Sequence, residues 1–520
     1  MKNYTLLATL LWLFFSVQTM AQPVPPKREF RGVWVATVAN IDYPKAPDQR
    51  SVALKEQWIQ LVEMYKNMGL NAVIVQVRPA GDAIYPTEMA PWSKYLTGRQ
   101  GLPPADTTFD PLAFMIEEAH RNGMEFHAWF NPYRATMDLD TLSLSSMHLF
   151  NKRRDWMLRY GNRFLLNPAL PEVREHIAQV VGEVVQKYDV DAVHFDDYFY
   201  PYKVAGEVFP DSLEYLVLGK SFANIDDWRR SNVDALVQLV SEKIRDTKPH
   251  VQFGISPFGV WRNRDKDPVM GSDTRAGLTS YDDLYADVLK WSRLGWIDYV
   301  APQLYWHIGF TPADHYTLLK WWERNAYGRL LHIGHGAYKV ANNQEVAWYD
   351  PAEMSRQIDL NRRNLTASGS IYFSSKSLVN NPLGVRDSIS HYYARPSLLP
   401  IPPDKAQKAF EAPQLLQVKS KNIQPLLRWR PNRLDRKNPP LYYVVYRFEG
   451  NTFGDFENAR YIMTITPRGL TQKTFEFHDA TVLPDKTYTY TVTAFNRTHV
   501  ESKAAPGRTV YIGQFKVQRK

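Results

Sequence analysis

The sequence predicts an α/β protein, a (β/α)8 TIM barrel followed by a small all-β, immunoglobulin-like sandwich. Three observations carry that expectation. Eight short apolar runs that end in polar and aromatic residues recur between positions 29 and 375: EFRGVWVATV, NAVIVQVRP, MEFHAWFNP, AVHFDDYFYP, QFGISPFGV, YVAPQLYWH, LLHIGHGAY and GSIYFSS. Most are separated by helix-length segments, the alternation that builds a parallel barrel. Beyond position 412 the apolar period changes to two, in runs such as YYVVYRFEG and KTYTYTVTAFN, as antiparallel strands packed in two layers require.

Taken in order, residues 1–21 read as a signal peptide. Lys2 is followed by the apolar stretch Leu6 to Val17 and by Thr19-Met20-Ala21, a small-residue cleavage pattern. The stretch is too short for a membrane span, so the expected mature chain starts near Gln22 without stable membrane insertion. The barrel is expected over 27–395. Its first helix is expected over Val52–Met68, with Leu54, Trp58, Leu61, Val62 and Tyr65 on one face and Gly69 as its stop. Asp110-Pro111 opens a second helix, Leu112–Arg121. Pro171–Lys187 and Arg229–Thr247 read as later ones. Three connections are long, Pro79–Asp110, the stretch from Asn131 to about Pro168, and the one that runs from the aromatic loop YFYPYK (198–203) to Trp228, and long ordered loops above strand ends commonly build sites. Pro396, Pro400, Pro402 and Pro403 mark 396–411 as a stiff linker. In 412–515, Trp429 and the pattern Tyr488-x-Tyr490-x-Val492-x-Ala494-x-Asn496 resemble a fibronectin type III module.

Composition narrows the function classes. The 520 residues are 44% apolar and 22% charged, as in soluble globular proteins, but include 15 Trp, 30 Tyr and 25 Phe. Aromatic faces stack on the C–H faces of sugars, so a saccharide cleft is expected. Net charge is +9, about +8 once Lys2 leaves with the signal, which favours anionic partners. No dense Lys/Arg run is present, so nucleic acid is not expected as a partner. The absence of cysteine removes disulfides and a lipid-anchoring thiol; together with the leader it makes a bacterial periplasmic or secreted protein the expectation.

Strand residues alternate sides. In AVHFDDY, Val193 and Phe195 suit the helix side, which turns His194 and Asp196 to the axis and leaves Asp197 at the rim. A carboxylate there is costly to bury without a purpose; it can act as nucleophile, base or cation stabiliser. The same parity turns Arg78 on strand two, His127, Trp129 and Asn131 on strand three, Ser256 on strand five, and Gln303 and Tyr305 on strand six inward. Loop residues Trp92, Arg134 and Tyr198 are expected to line the cleft, with Arg78 and Arg134 binding carboxylates. No His-Glu-x-x-His spacing supports a metal, and Gly254-Ile-Ser256-Pro257 is no nucleophile elbow. Neither a metal nor a cofactor is expected.

Seven segments, GVWVATVANIDYP (32–44), QVRPAGDAIYP (76–86), PWSKYLTG (91–98), EFHAWFNPYR (125–134), VDAVHFDDYFYP (190–201), FGISPFGVWRN (253–263) and WIDYVAPQLYW (296–306), resemble the glycosyl hydrolase-like 10 family of bacterial envelope proteins. The resemblance covers about 27–380. It implies an exported glycoside hydrolase on a TIM barrel that acts on an N-acetylhexosamine polymer, most of all peptidoglycan strands stripped of peptides. It also implies a site built on Asp196 and Asp197, with Arg78, Asp82, His127, Asn131, Gln303 and Tyr305 lining the cleft. Chitinase-type barrels end strand four in Asp-Gly-x-Asp-x-Asp-x-Glu. Laid over that pattern, this chain has Tyr198 in place of the acidic Glu, so the proton donor is expected to be Asp197, Asp82 or another loop carboxylate. Two rivals stand beside this reading: a non-catalytic glycan-binding barrel and a metal-dependent deacetylase.

Overall fold

The computed structural model describes residues 25–364, 366–405, 411–421, 424–432, 440–467 and 473–513. The signal peptide expected over 1–21 lies outside the described residues. Eight parallel strands close a barrel in sequence order: β1 (Phe30–Val35), β2 (Ala72–Arg78), β3 (Glu125–Phe130), β4 (Ala192–Phe195), β5 (Gln252–Ile255), β6 (Tyr299–Val300), β7 (Leu330–His335) and β8 (Ala367–Tyr372). Their principal crossover helices, in turn, are α1 (Ser51–Asn67), α2 (Pro111–Arg121), α3 (Pro171–Lys187), α4 (Ile225–Thr247), α5 (Val288–Arg293), α6 (His315–Asn325) and α7 (Glu353–Arg363), and α8 (Val385–Tyr392) follows β8.

Local chemistry explains the elements. On α1, Leu54, Trp58, Val62 and Tyr65 are buried at helical spacing; each large apolar side chain so buried contributes roughly 1.5–3 kcal/mol. Asp110 caps α2 through the Ala113 N–H, with Pro111 in the first turn. α4 begins four residues before the expected Arg229, because Asn224 accepts from Asp227 N–H and sets the start there. The connection after β3 contains a hairpin, Met157–Tyr160 paired with Arg163–Leu166. Gly161 takes a positive φ of 57° at its two-residue turn, the conformation that such a turn asks of glycine.

The strands sort their side chains into two cores. Val33, Val75, Phe126, Ala128, Val193 and Phe195 face the helices, while Phe30, Trp34, Ile74, Trp129, Ala192 and Tyr299 face the axis. Closure between β8 and β1 depends on Gly369, where a Cβ would sit 2.0 Å from Phe30 O. Gly254 gives Tyr299 room to cross the barrel: a Cβ there would meet its ring at 1.8 Å.

The C-terminal residues form two antiparallel sheets. One is β9 (Gln414–Lys421), β10 (Gln424–Arg430) and β13 (Phe475–His478); the other is β11 (Tyr442–Glu449), β12 (Ile462–Pro467), β14 (Lys486–Phe495) and β15 (Arg508–Ile512). Leu427, Trp429, Tyr443, Val445, Phe475 and Val492 fill the space between them. The opposite face of β11 and β14, with Tyr442, Val444, Tyr446, Phe448 and Phe495, joins the axial core from below together with Leu398 and Leu399. Tyr442 to Tyr446 are therefore all buried, one alternation facing each core. The proline-dense stretch is a strap here: Leu398 exchanges backbone hydrogen bonds with Lys27 and Glu29, each 2.8 Å. Polar pairs ring the contact, with Lys27 on Glu501 at 2.7 Å, Arg497 on Asp189 at 2.6 Å, and His499 on Glu125.

The His499–Glu125 pair is fully buried, so truncating one partner strands the other's charge. His499→Ala is expected to cost about 3–5 kcal/mol, read as a lower urea midpoint. Burial alone lowers the His499 pKa, but the Glu125 charge and hydrogen bond outweigh it, and the net direction is upward. The histidine's contribution is then fully present below its ordinary value of 6.5 and lost as pH rises through the raised one. The deficit of the variant should shrink at alkaline pH; a pH-independent deficit would show that the charge on His499 contributes nothing.

Candidate active site

A hydrogen-bonded column rises through the barrel axis to the mouth. Glu125 Oε2 lies 3.1 Å from His127 Nε2; His127 Nδ1 is 2.9 Å and His194 Nδ1 2.8 Å from the Tyr299 hydroxyl; His194 Nε2 is 3.1 Å from Trp34 Nε1 and 2.9 Å from Ser256 Oγ. The Trp34 indole N–H only donates, so His194 Nε2 accepts and its proton sits on Nδ1. Nδ1–H donates to Tyr299, whose own proton goes to His127 Nδ1, and His127 Nε2–H donates to Glu125. Burial holds His194 well below its ordinary pKa, in keeping with the neutral ring. His127 and His194 thus belong to the floor and do not line the cavity above it. Among the described residues no three His, Cys, Asp or Glu side chains are grouped so as to hold a metal ion.

Above the column stand the two carboxyl groups. Asp196 Oδ2 accepts from Asn131 Nδ2 and, at 3.2 Å, from Trp129 Nε1. Asn131 is pinned in that orientation: its Oδ1 accepts from Gln76 Nε2 and, at 3.2 Å, from Arg134 Nη1. Gln76 is pinned in turn by the Thr37 and Val38 N–H groups, at 3.1 and 2.9 Å. Asp197 accepts from the Tyr202 hydroxyl on Oδ2 and, at 3.0 Å, from Gln303 Nε2 on Oδ1. Burial and the Asp197 charge push Asp196 up to about 7, against the pull of Arg134, Asn131 and Tyr198 N–H. Burial also raises Asp197, opposed by Tyr202 and Gln303. The two titrate as a pair, and burial raises both.

The pair opens into a cavity of about 400 Å³ lined by Asp196, Asp197, Trp129, Arg134, Tyr198, Gln303 and Tyr305. Tyr202, from the aromatic loop after strand four, also lines it, as do Trp34, Phe258, Trp306, Tyr338, Lys339 and Phe373, which the sequence did not single out. Strand-one parity applied to GVWV would have found Trp34. The others sit on loops whose return over the mouth has no period to read.

Besides His127 and His194 on the floor, and Asn131, which contacts Asp196 without lining the cavity, three expected residues lie away from it. A register shift between Gln76 and Arg78 turns Arg78 off the axis, near enough to Asp82, His148 and His176 for its charge to act on all three. Asp82 lies in a separate small cavity with Lys94, Gln100 and Asp138 and accepts from Ala80 N–H at 3.2 Å. Burial raises it to about 6, yet it does not border the Asp196 cavity. Trp92 packs half-buried against the helix-side core.

A family model described as glycosyl hydrolase-like 10 matches residues 29–350. The chain is 46% identical over 488 residues to glycosyl hydrolase YngK of Bacillus subtilis (strain 168), covering 93% of each chain. It is 38% identical over 403 residues to glycosyl hydrolase DigH of Escherichia coli (strain K12), covering 73% of this chain and 89% of that one. Among solved structures, alpha-L-fucosidase isoenzyme 2 from Paenibacillus thiaminolyticus overlaps at a TM-score of 0.39 with 15% identity, across 70% of this chain and 49% of that one.

The Asp196 environment predicts a stability effect opposite to that of most core changes. Its folded pKa is raised, so its contribution is fully present below the ordinary value of 3.8 and is lost as pH climbs through about 7. The slope between these limits is about 1.4 kcal/mol per pH unit. Asp196→Asn removes that slope, and its stability relative to the wild type should improve from pH 5 to pH 8. Parallel denaturation midpoints across that range would contradict the raised pKa.

Proposed function

The chain belongs to the glycosyl hydrolase-like 10 family and is a glycoside hydrolase-like protein; from that premise we propose that it is a hydrolase of glycosidic bonds in an N-acetylhexosamine polymer, peptide-stripped peptidoglycan strands above all. One observation carries the catalytic part: two adjacent carboxyl groups at the floor of an aromatic-walled cavity are divided between separate donor sets, Asn131 and Trp129 on Asp196 and Tyr202 and Gln303 on Asp197. That division is how paired carboxyl groups share acid and anion roles. Asp196, protonated, gives its proton to the glycosidic oxygen as the C–O bond breaks; a water molecule then adds to the sugar carbon and its released proton returns to Asp196. Asp197, anionic and oriented by Tyr202 and Gln303, steadies the cationic sugar centre. The donor role thus moves to Asp196 from Asp197 and Asp82, where the sequence alone put it. Trp34, Trp129 and Tyr305 offer ring faces and edges to sugars.

Substrate and location rest on chemistry of a coarser kind. Stripped peptidoglycan exposes lactyl carboxylates, and the cavity offers Arg134, which has no carboxylate within 4.0 Å among the described residues. The leader pattern from Lys2 to Ala21 supports export to the periplasm or beyond. No helix among the described residues is long and apolar enough to cross a membrane. The rival reading, a non-catalytic glycan binder, draws support from Tyr198 standing where chitinases carry their acid; turnover on purified glycan separates the two.

Asp196→Asn and Asp197→Asn should each lower turnover by about 10²–10⁴ with the fold kept, measured by mass spectrometry of released fragments. Wild-type turnover in either variant would remove that residue from the mechanism. Activity should fall as pH rises through about 7, where Asp196 loses its proton. Stripped strands should be cut faster than intact peptidoglycan or neutral chitin oligomers; equal rates on all three would leave only the glycosidase class standing.

A further inference from the structure

Beside the catalytic cavity lies a second one of about 610 Å³. The two share Arg134, Tyr198 and Tyr202 as lining residues. Their partition is the Tyr198–Tyr202 ring pair, with centroids 5.2 Å apart, and the Arg134 guanidinium, 4.9 Å over the Tyr198 ring. The far wall is the hairpin after β3, which the Arg134–Leu165 bridge and the Phe164 N–H on Thr136 Oγ1, at 2.9 Å, tie to the barrel mouth. Its turn delivers Arg163 into the cavity.

The charges there are unbalanced. Arg163 donates to its neighbour Asn162 Oδ1 at 3.3 Å, and neither Arg163 nor Arg134 has a carboxylate within 4.0 Å among the described residues. Arg163 is half-buried, and burial and then the Arg134 charge both lower its pKa. Two guanidinium groups that repel across a shared cavity are stabilised by an anion between them. Of the other charged groups on the wall, Lys203 pairs with Asp283 at 2.6 Å, and Glu207, which accepts from Gly161 N–H at 2.9 Å, sets one negative charge against the two guanidinium groups.

We propose that this second cavity is a carboxylate-binding subsite, in which Arg163 and Arg134 hold the acidic side group of a sugar next to the one whose linkage lies over Asp196 and Asp197. The inference rests on the glycan-hydrolase reading above and adds the place where the acidic unit is recognised. Arg163 then sets specificity without touching the reacting atoms. The subsite also gives the hairpin a purpose, since it carries Arg163 to the mouth.

The test compares the full-length wild type with Arg163→Gln and Arg163→Lys. One arm measures hydrolysis of peptide-stripped strands and of the same strands with their lactyl carboxylates amidated. Arg163→Gln should raise KM on the free carboxylate form roughly tenfold or more, as loss of a charge-assisted bond does, with a several-fold smaller effect on the amidated form; Arg163→Lys should recover part of the loss. Equal effects on both forms, or none on either, would overturn the subsite. The second arm titrates N-acetylmuramic acid against N-acetylglucosamine by calorimetry. Wild type should prefer the acid and Arg163→Gln should not; equal binding by wild type also overturns the subsite. Preference in binding without hydrolysis of any glycan would instead sink the hydrolase reading and leave the subsite standing.

Discussion

A single donor-only group orders the interior of this barrel. The Trp34 indole can only give a hydrogen bond, and it gives it to His194. That choice fixes the proton positions on His194, Tyr299 and His127 in turn, down to Glu125. Without such a chain, a Glu, two imidazoles and a phenol could not sit on the axis of a barrel at this depth, because each unpaired group would carry its full desolvation cost. Tyr299 is the centre of the chain, and Gly254 is the residue that lets it lie across the axis.

The column joins two ends of the molecule with different duties. At the bottom, Glu125 receives His499 from the C-terminal sheets, and the apolar outer face of β11 and β14 closes the barrel floor. A sheet buried on both faces loses the polar alternation of a solvated one, which is why YYVVY is continuously apolar. At the top, Ser256 and Gln303 connect the column to Asp197. Stability is concentrated at the lower face and chemistry at the upper, the division typical of the fold.

At the upper face, structure is set against stability. Two carboxyl groups adjacent in sequence are buried side by side, and no cation among the described residues pairs with either one directly. Neutral donors, Asn131 and Trp129 on one and Tyr202 and Gln303 on the other, hold their oxygens, while burial raises the pKa of both. An ion pair would have lowered both pKa values and removed the proton that the acid role proposed for Asp196 needs. Arg134 stays at a distance, held by the Asn131 amide and Pro79 O.

Sequence by itself determined the barrel, the sandwich and the parity of most strand ends. Period and strand-end chemistry are local properties, and they sufficed to turn Asp196, Trp129, Gln303 and Tyr305 toward the mouth. Only tertiary structure decided the rest. A one-residue register shift in β2 took Arg78 off the axis, because a bulge flips every side chain that follows it and leaves no trace in the apolar pattern. Asp82 and Trp92 sit on a long loop whose path depends on what it packs against, as do Tyr202, Tyr338 and Phe373, which only the folded chain brings to the cavity. The protonation of Asp196 is set by burial and by neighbours from β3, β4 and the following loop. That environment is assembled in space, and no stretch of sequence contains it.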